Sequence, residues 1–181
     1  MPTFLLSPAD CRGKRAAMLV RDEATFPLAV ELRAGRASLG AVFSFVSGLY
    51  FRGKLAYARR FGGVIRVIVP GRGLLDPDLR LATDHVHAFG AVEVDPDDPA
   101  YRNPLIRDAR DLAADPRVDR IVLLGSLATP KYVAPLSEVL GDRLWYPTAL
   151  AGQGDMKRGK LLLDAASTGI ELGYAPIGPA G

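Results

Sequence analysis

The stretch GGVIRVIVPGRG, residues 62–73, decides the fold that we predict for this chain. Its centre, Val64–Val69, is a run rich in β-branched residues between a glycine pair and Pro70-Gly71. A short apolar run bounded by turn residues is typical of a strand buried on both faces of a parallel sheet. The predicted strand leads directly into the loop PGRGLLDPD, residues 70–78.

Three other apolar runs end in the same way, each at a loop of small, polar and charged residues. They are Phe4–Leu6 before SPADCRGKR, Ile121–Leu124 before GSLATPK, and Leu144–Tyr146 before PTALAGQGDMKRGK. If the four runs are parallel strands, all four loops lie at one edge of one sheet. Open α/β sheets bind their ligands at that edge, so the sequence predicts the position of a site there.

Segments of helical character alternate with these runs. Helices are predicted at Lys14–Arg21, Thr25–Arg33, Ala41–Arg60 with a break at Ser47-Gly48, Asn103–Ala114, Lys131–Leu140 and Asp155–Thr168, with weaker strands at Ala91–Val94 and Glu171–Tyr174. The alternation predicts an α/β fold with three layers, α/β/α, around a mostly parallel central sheet of four to five strands. We expect one domain over residues 1–177 and a flexible tail over residues 178–181.

Composition predicts a globular protein of the cytoplasm. The chain of 181 residues is 49% hydrophobic and 24% charged, and its one cysteine, Cys11, excludes an internal disulfide. No apolar stretch is long enough to span a membrane, and the N-terminus lacks the pattern of a signal peptide. His85 and His87 are too close in sequence for a helical metal pair, so we predict no metal and no cofactor, although His85 is a candidate general acid or base.

Charge is distributed unevenly along the chain. Residues 1–75 contain 12 Lys and Arg against 4 Asp and Glu, whereas residues 76–116 contain 4 against 10. The basic first part suits contact with phosphate groups, although solvated helix faces are an equally plain interpretation.

Two loops in the basic part contain candidate site residues. In the first loop, Lys14 and Arg15 at a helix start suit a phosphate or carboxylate, Asp10 is a candidate catalytic carboxylate, and Cys11 is a weaker candidate nucleophile. In the loop after Val69, the candidates are Arg72 and Gly73 for ligand binding and Asp76 as a carboxylate that accepts from a sugar or base. Ordinary turns with solvated cations remain the alternative for both loops.

The segment LYFRGKLAYARR, residues 49–60, interleaves aromatic rings with cations. Tyr50, Arg52 and Lys54 suit stacking on a base with phosphate contacts beside it, unless the rings belong to the core. The two later loops add further candidates of the same kinds. These are Ser126 and Lys131 in GSLATPK and its helix, and Asp155 and Lys157 in the last loop and its helix.

These motifs resemble those of an uncharacterised family with the patterns Cys-x-x-x-Lys, Leu-Tyr, Tyr-Ala and Gly-Leu-x-x-Pro. The corresponding residues here are Cys11 with Lys14 (one residue closer than in the pattern), Leu49-Tyr50 with Lys54, Tyr57-Ala58, and Gly73–Pro77. The family is distantly similar to YaaA-type peroxide-stress proteins and, in fold, to the uracil-DNA glycosylase superfamily. The loop GSLATPK resembles the Gly-Ser-His-Pro-Ser loop of those glycosylases, with Leu127 in place of the histidine.

Three hypotheses follow for the function. The first is a nucleobase- or nucleotide-handling enzyme, an N-glycosidase or DNA glycosylase-like hydrolase, in which Asp10, Asp76 or Asp155 stabilises the sugar cation and Ser126 stabilises the departing base. The second is a non-catalytic module of the YaaA type that binds a nucleotide or DNA. The third is an interaction protein with a silent pocket. The predicted partners are a nucleobase, nucleotide or DNA, and no membrane.

Overall fold

The structure, a computed structural model, describes residues 1–178; residues 179–181 of the predicted tail lie outside the described range. The strands are β1 (Thr3–Leu6), β2 (Ala37–Ser38), β3 (Ile65–Val69), β4 (Gly73–Leu75), β5 (Arg80–Leu81), β6 (Ile121–Leu124), β7 (Leu144–Pro147) and β8 (Tyr174–Pro176). The helices are α1 (Lys14–Leu19), α2 (Pro27–Arg33), α3 (Leu39–Ser47), α4 (Leu49–Phe61), α5 (Thr83–Gly90), α6 (Pro99–Ala114), α7 (Pro130–Leu140) and α8 (Asp155–Thr168).

The central sheet has six strands in the order β4-β3-β1-β6-β7-β8. The inner strands β3, β1, β6 and β7 are parallel, and the edge strands β4 and β8 are antiparallel to their neighbours. Strands β2 and β5 form a separate antiparallel pair. The predicted α/β class with a mostly parallel central sheet and three layers is therefore confirmed, with six strands in place of the expected four to five.

Alternate residues of β1 enter two separate hydrophobic cores. Phe4 and Leu6 pack with residues of α1 to α4 and of α8, whereas Leu5 packs on the other face with residues of α6 and α7. All three side chains are completely buried, as expected for a central parallel strand covered on both sides. This central strand explains the unbroken apolar run of the sequence.

Three local predictions are wrong. Residues Gly73–Leu75, expected in a loop, form β4 because the positive φ angles of Gly71 and Gly73 allow a tight turn back along β3. Ala91–Val94 is not a strand, since Ala91 caps α5 by donating to carbonyl groups of that helix. The last strand begins at Tyr174, not at Glu171, because the Leu172 amide donates to the Tyr57 hydroxyl at 2.9 Å.

Helices α4 and α8 cross at very close range through two glycines. A Cβ added to Gly53 would lie 2.6 Å from the carbonyl oxygen of Gly159, and one added to Gly159 would lie 2.9 Å from that of Leu49. Real Cβ atoms essentially never approach backbone this closely, so both positions require glycine. The contact brings α4 and the start of α8 together below the carboxyl end of the sheet.

We predict that Gly53→Ala destabilises the protein. An alanine in a helix gains up to about 1 kcal/mol over glycine, but forcing the helices apart costs roughly 1–3 kcal/mol, so the steric cost wins. Urea denaturation should show a lower midpoint for Gly53→Ala than for the control Gly63→Ala, whose Cβ would meet its nearest neighbour at 3.4 Å. Equal midpoints in the two variants would contradict this account of the crossing.

Candidate functional site

The strand order reverses at β1, and this reversal creates a crevice at the carboxyl edge. From β1 the chain passes to β3 on one side of it and later returns to β6 on the other side. The first residues beyond these neighbouring strands, Ser7 and Gly125, face each other so closely that a Cβ on Gly125 would lie 3.0 Å from that of Ser7. Open α/β sheets bind ligands at such a reversal.

Lys54 of α4 lies buried below this crevice. Its side chain is only 1% exposed, and Nζ donates to the Ser7 carbonyl oxygen at 2.8 Å and to Ser7 Oγ at 2.7 Å. Nζ also lies 4.3 Å from the centre of the Tyr50 ring and 5.1 Å from that of Phe51. Among the described residues, no carboxylate oxygen lies within 4.0 Å of Nζ. Lys54 is therefore a buried amine held by neutral groups.

Burial lowers the pKa of Lys54 from 10.5 to about 7. Desolvation is the largest cause, and the positive charge of Arg158 acts in the same direction, whereas the carboxylate of Asp155 opposes both. The amine is thus close to half-protonated at neutral pH. A group with such a pKa can both hold a positive charge and release a proton under physiological conditions.

Arg158 of α8 supplies a second buried cation. It is 8% exposed, its Nε donates to the Leu150 carbonyl oxygen at 3.3 Å, and its guanidinium lies 5.8 Å from the centre of the Tyr50 ring. Its nearest carboxylate, Asp155, is 3.5 Å away and has a side chain that is 75% exposed. A mostly solvated carboxylate compensates a buried guanidinium only weakly.

Two tyrosines, the buried Tyr50 and the half-buried Tyr132, complete the site. The Tyr50 hydroxyl is buried without a hydrogen-bond partner among the described residues, and burial raises its pKa. Burial, with smaller contributions from Tyr50 and Asp155, raises the pKa of Tyr132 to about 12. Both phenols are therefore neutral at physiological pH.

Two recesses open at this edge. The first, which we call the apolar recess, has a volume of about 270 Å³; it is lined by Gly125, Leu127, Ala128, Tyr146, Pro147, Leu150, Ala151, Gly152 and Arg158. The second, the polar recess, has a volume of about 220 Å³ and lies between the β1–α1 loop and the start of α7; Asp10, Cys11, Glu93, Lys131 and Tyr132 contribute to its lining.

Most of the residues predicted from the sequence lie at this edge. Tyr50, Lys54 and Asp155 come together around Arg158, and Asp10 and Lys131 line the polar recess. The exposed cations belong to the helices that begin there and are Lys14, Arg15, Arg52 and Lys157. Of these, Arg15 is held by α3, since its Nε donates to the Phe45 carbonyl oxygen at 2.5 Å. Ser126 Oγ accepts from the Ala128 amide at 3.2 Å, which stabilises its own loop.

Asp76 does not join the site, which corrects the prediction from the sequence. Because β4 runs antiparallel to β3, the chain carries Asp76 back along the sheet to a point 3.7 Å from Arg66. Gly73 and Arg72 are displaced in the same way. Gly73 packs against α6, where an added Cβ would lie 2.2 Å from Asp108, and the Arg72 carbonyl oxygen accepts from Arg107. These three residues do not contribute to either recess described above.

The structure also describes the surroundings of two weaker candidates, Cys11 and His85. Burial and the neighbouring Asp10 raise the pKa of the Cys11 thiol to about 12, which disfavours a nucleophilic thiolate. His85 Nδ1 accepts from the Ala82 amide at 2.9 Å and so closes the first turn of α5. Within residues 1–178, no group of three or more His, Cys, Asp or Glu side chains is arranged to hold a metal ion.

Sequence reasoning missed Ser7, Arg158 and Tyr132 as site residues. Ser7 is the first residue after a predicted strand, and Arg158 precedes the glycine of a helix crossing. The position after the strand is a usable signal, but burial of Arg158 depends on the tertiary contact.

No protein-family model, curated protein or solved structure matches this chain. In the part of the chain described, no helix is both long and apolar enough to cross a bilayer.

The pKa of Lys54 predicts how stability depends on pH. Because the folded protein binds this proton more weakly than the unfolded chain, stability rises as the pH increases from about 7 towards 10.5. One proton contributes a slope of about 1.4 kcal/mol per pH unit. The difference in unfolding free energy between wild type and Lys54→Met should therefore grow across this range in favour of the wild type, as measured by urea denaturation. A difference that does not change with pH would contradict the lowered pKa.

Proposed function

We propose that the protein binds a nucleobase or nucleotide at the carboxyl edge of its sheet and cleaves the bond between base and sugar, as an N-glycosidase. One observation carries this proposal. Of two buried cations, Arg158 lines the apolar recess and Lys54 lies behind Ser7, and Asp155 is the sole carboxylate within 4.0 Å of either among residues 1–178.

A buried positive charge without a close counter-ion is costly, and a bound anion relieves the cost. The apolar recess suits a flat, largely hydrophobic ring, for which Tyr146 and Leu127 provide contact surface. A ligand that combines a planar ring with negative charge satisfies both features. Nucleotides have this combination, as do bases that become anionic when they leave a sugar.

Glycosidic cleavage makes use of both charges. The departing base becomes negative, and Arg158 at the wall of the apolar recess stabilises that charge, with the buried amine of Lys54 behind Ser7. The sugar becomes positive, and a carboxylate at the rim stabilises it or orients the attacking water. Asp155 is the carboxylate nearest the buried cations, and Asp10 at the polar recess is the second candidate. Ser126 remains a proposed donor to the base from the adjoining loop.

A non-catalytic module that binds a nucleotide or nucleic acid is the second candidate. It is favoured by the exposed cations Lys14, Arg52, Lys131 and Lys157, none of which has a carboxylate oxygen within 4.0 Å in the described chain. Such cations suit contact with phosphates and predict binding that weakens as salt rises, without product. The resemblance to YaaA-type proteins is compatible with this candidate, and a cytoplasmic location belongs to the same proposal.

The N-glycosidase proposal predicts that Asp155→Asn abolishes release of base. Loss of the carboxylate charge should lower the rate by roughly a hundredfold or more, since it removes stabilisation of the sugar cation. The measurement is mass spectrometry of products after incubation with nucleosides, nucleotides and base-modified single- and double-stranded DNA.

The matched control is Asp164→Asn, which changes an exposed carboxylate on the same helix that pairs with Lys160 at 2.7 Å. This control should release base at the wild-type rate. Release that is equal in Asp155→Asn and wild type would remove Asp155 from the mechanism. No release from any substrate, together with salt-dependent binding of DNA, would contradict the N-glycosidase proposal and support the non-catalytic binding module.

Arg158→Met tests the anion site without requiring turnover. Hydrogen bonds to a charged group contribute roughly 1.5–3 kcal/mol, so the variant should bind a nucleotide about tenfold to a hundredfold more weakly. Titration calorimetry measures the affinity, with Arg110→Met on α6 as the control. Equal affinities in the two variants would place the ligand elsewhere.

A further inference from the structure

The pair of Ser7 and Lys54 has a hydrogen-bond geometry that no role above explains. Lys54 Nζ donates both to the carbonyl oxygen and to the hydroxyl oxygen of Ser7, at 2.8 and 2.7 Å. Ser7 is the first residue beyond the central strand β1 and is 4% exposed. Among the described residues, Ser7 is the sole hydrogen-bond partner of the amine.

The number of donors and acceptors on Lys54 and Ser7 determines where the Ser7 O–H points. A protonated lysine has three donors and no acceptor, whereas a hydroxyl has one donor and two lone pairs. When Ser7 Oγ accepts from Lys54, its own O–H must point to another group. When Lys54 loses a proton, its nitrogen becomes an acceptor, and the Ser7 O–H can turn to it. The hydroxyl is thus able to relay a proton between Lys54 and a third group.

The position of Gly125 indicates where the third group lies. A Cβ added to this glycine would approach Ser7 Oγ to 3.2 Å, a distance at which the hydroxyl would be crowded. Gly125 also lines the apolar recess, whereas Ser7 lies behind it, so Gly125 is the residue that joins Ser7 to this recess. A ligand atom at this wall of the recess is the natural partner for the O–H.

The charges around Lys54 suit release of a proton near neutral pH. Arg158 and Asp155 of α8 act on the amine in opposite directions, and the neutral ring of Tyr50 covers one side of it. Tyr132 of α7, also neutral, interacts with Tyr50 and Asp155. Desolvation outweighs these contributions and lowers the pKa of Lys54 to about 7, which is the range of an effective general acid.

We infer that Ser7 is a catalytic residue that donates a proton to the departing base and that Lys54 replaces this proton. The inference rests on the proposed N-glycosidase function and deepens it. As the bond between the sugar carbon and the base nitrogen breaks, its electron pair stays on the nitrogen, which takes the Ser7 hydroxyl proton. A proton of Lys54 moves to Ser7 Oγ. Water adds to the sugar carbon and releases one proton to solvent, and neutral Lys54 takes up one proton from solvent.

The first test is the pH profile of base release by wild type and Ser7→Ala, with Ser137→Ala as control. The wild-type rate should fall as the pH rises above about 7, because Lys54 then loses its proton. Ser7→Ala should lower the rate by roughly a hundredfold and remove this pH dependence. Ser137, whose hydroxyl lies on α7 without a partner in the described structure, should be replaceable with the profile unchanged.

Gly125→Ala supplies a second variant in case Ser7→Ala does not fold. It retains both Ser7 and Lys54 but crowds the Ser7 side chain, whose Cβ and Oγ would lie 3.0 and 3.2 Å from the new Cβ, so it should lower the rate in the same way. Base release by a folded Ser7→Ala with the wild-type pH profile would overturn the inference while leaving the N-glycosidase proposal intact.

Proton uptake on binding of sulfate tests the pair without turnover. Sulfate does not titrate near neutral pH, so calorimetry in buffers with different ionisation enthalpies counts protons taken up by the protein. Wild type should take up a fraction of a proton per molecule slightly above neutral pH, Ser7→Ala a smaller fraction and Lys54→Met none. Equal uptake by wild type and Ser7→Ala would overturn the inference, and absence of both sulfate binding and base release would overturn the inference and the proposed function together.

Discussion

The backbone contact between Gly53 and Gly159 is the constraint on which the candidate site depends. It brings α4 and α8 closer than any side chain at either position would allow, and Lys54 and Arg158 are the next residues to these glycines. Lysine and arginine side chains ordinarily extend into water. Here Lys54 of α4 and Arg158 of α8 are both buried where the two helices cross. The position of the positive charge follows from a packing contact, not from a loop that is built around a ligand.

The sheet supplies the second half of the site. Its reversal at β1 places Ser7 and Gly125 at adjoining strand ends, with α1 to α4 on one face and α6 and α7 on the other. Ser7 connects the crevice with the buried Lys54. Its carbonyl and hydroxyl oxygens both accept hydrogen bonds from the amine. The topology thus determines the position of the candidate site, and the helix crossing determines the charge beside it.

The sequence predicted the features that depend on local patterns. The strand at Ile121–Leu124, the helix at Asp155–Thr168 and the break at Gly48 agree with the structure, because short apolar runs and capping residues act over a few positions. The carboxyl edge was also predicted correctly as the meeting place of the loops after β1, β6 and β7. The direction of β4 depends on pairing with β3, which no local pattern reports, and Asp76 was misplaced for that reason.

The burial of Lys54 was beyond prediction because lysine is almost never buried and its sequence neighbours indicate only a helix. Its prediction as a binding residue came from interleaved aromatic and basic residues, whereas its burial comes from the packing of α4 against α8.

The central claim is that a buried amine lies at the candidate site. Nuclear magnetic resonance titration of the Lys54 side chain in the whole protein tests this claim by measuring its pKa. The account predicts a pKa of about 7. A pKa near the ordinary lysine value of 10.5 would contradict it.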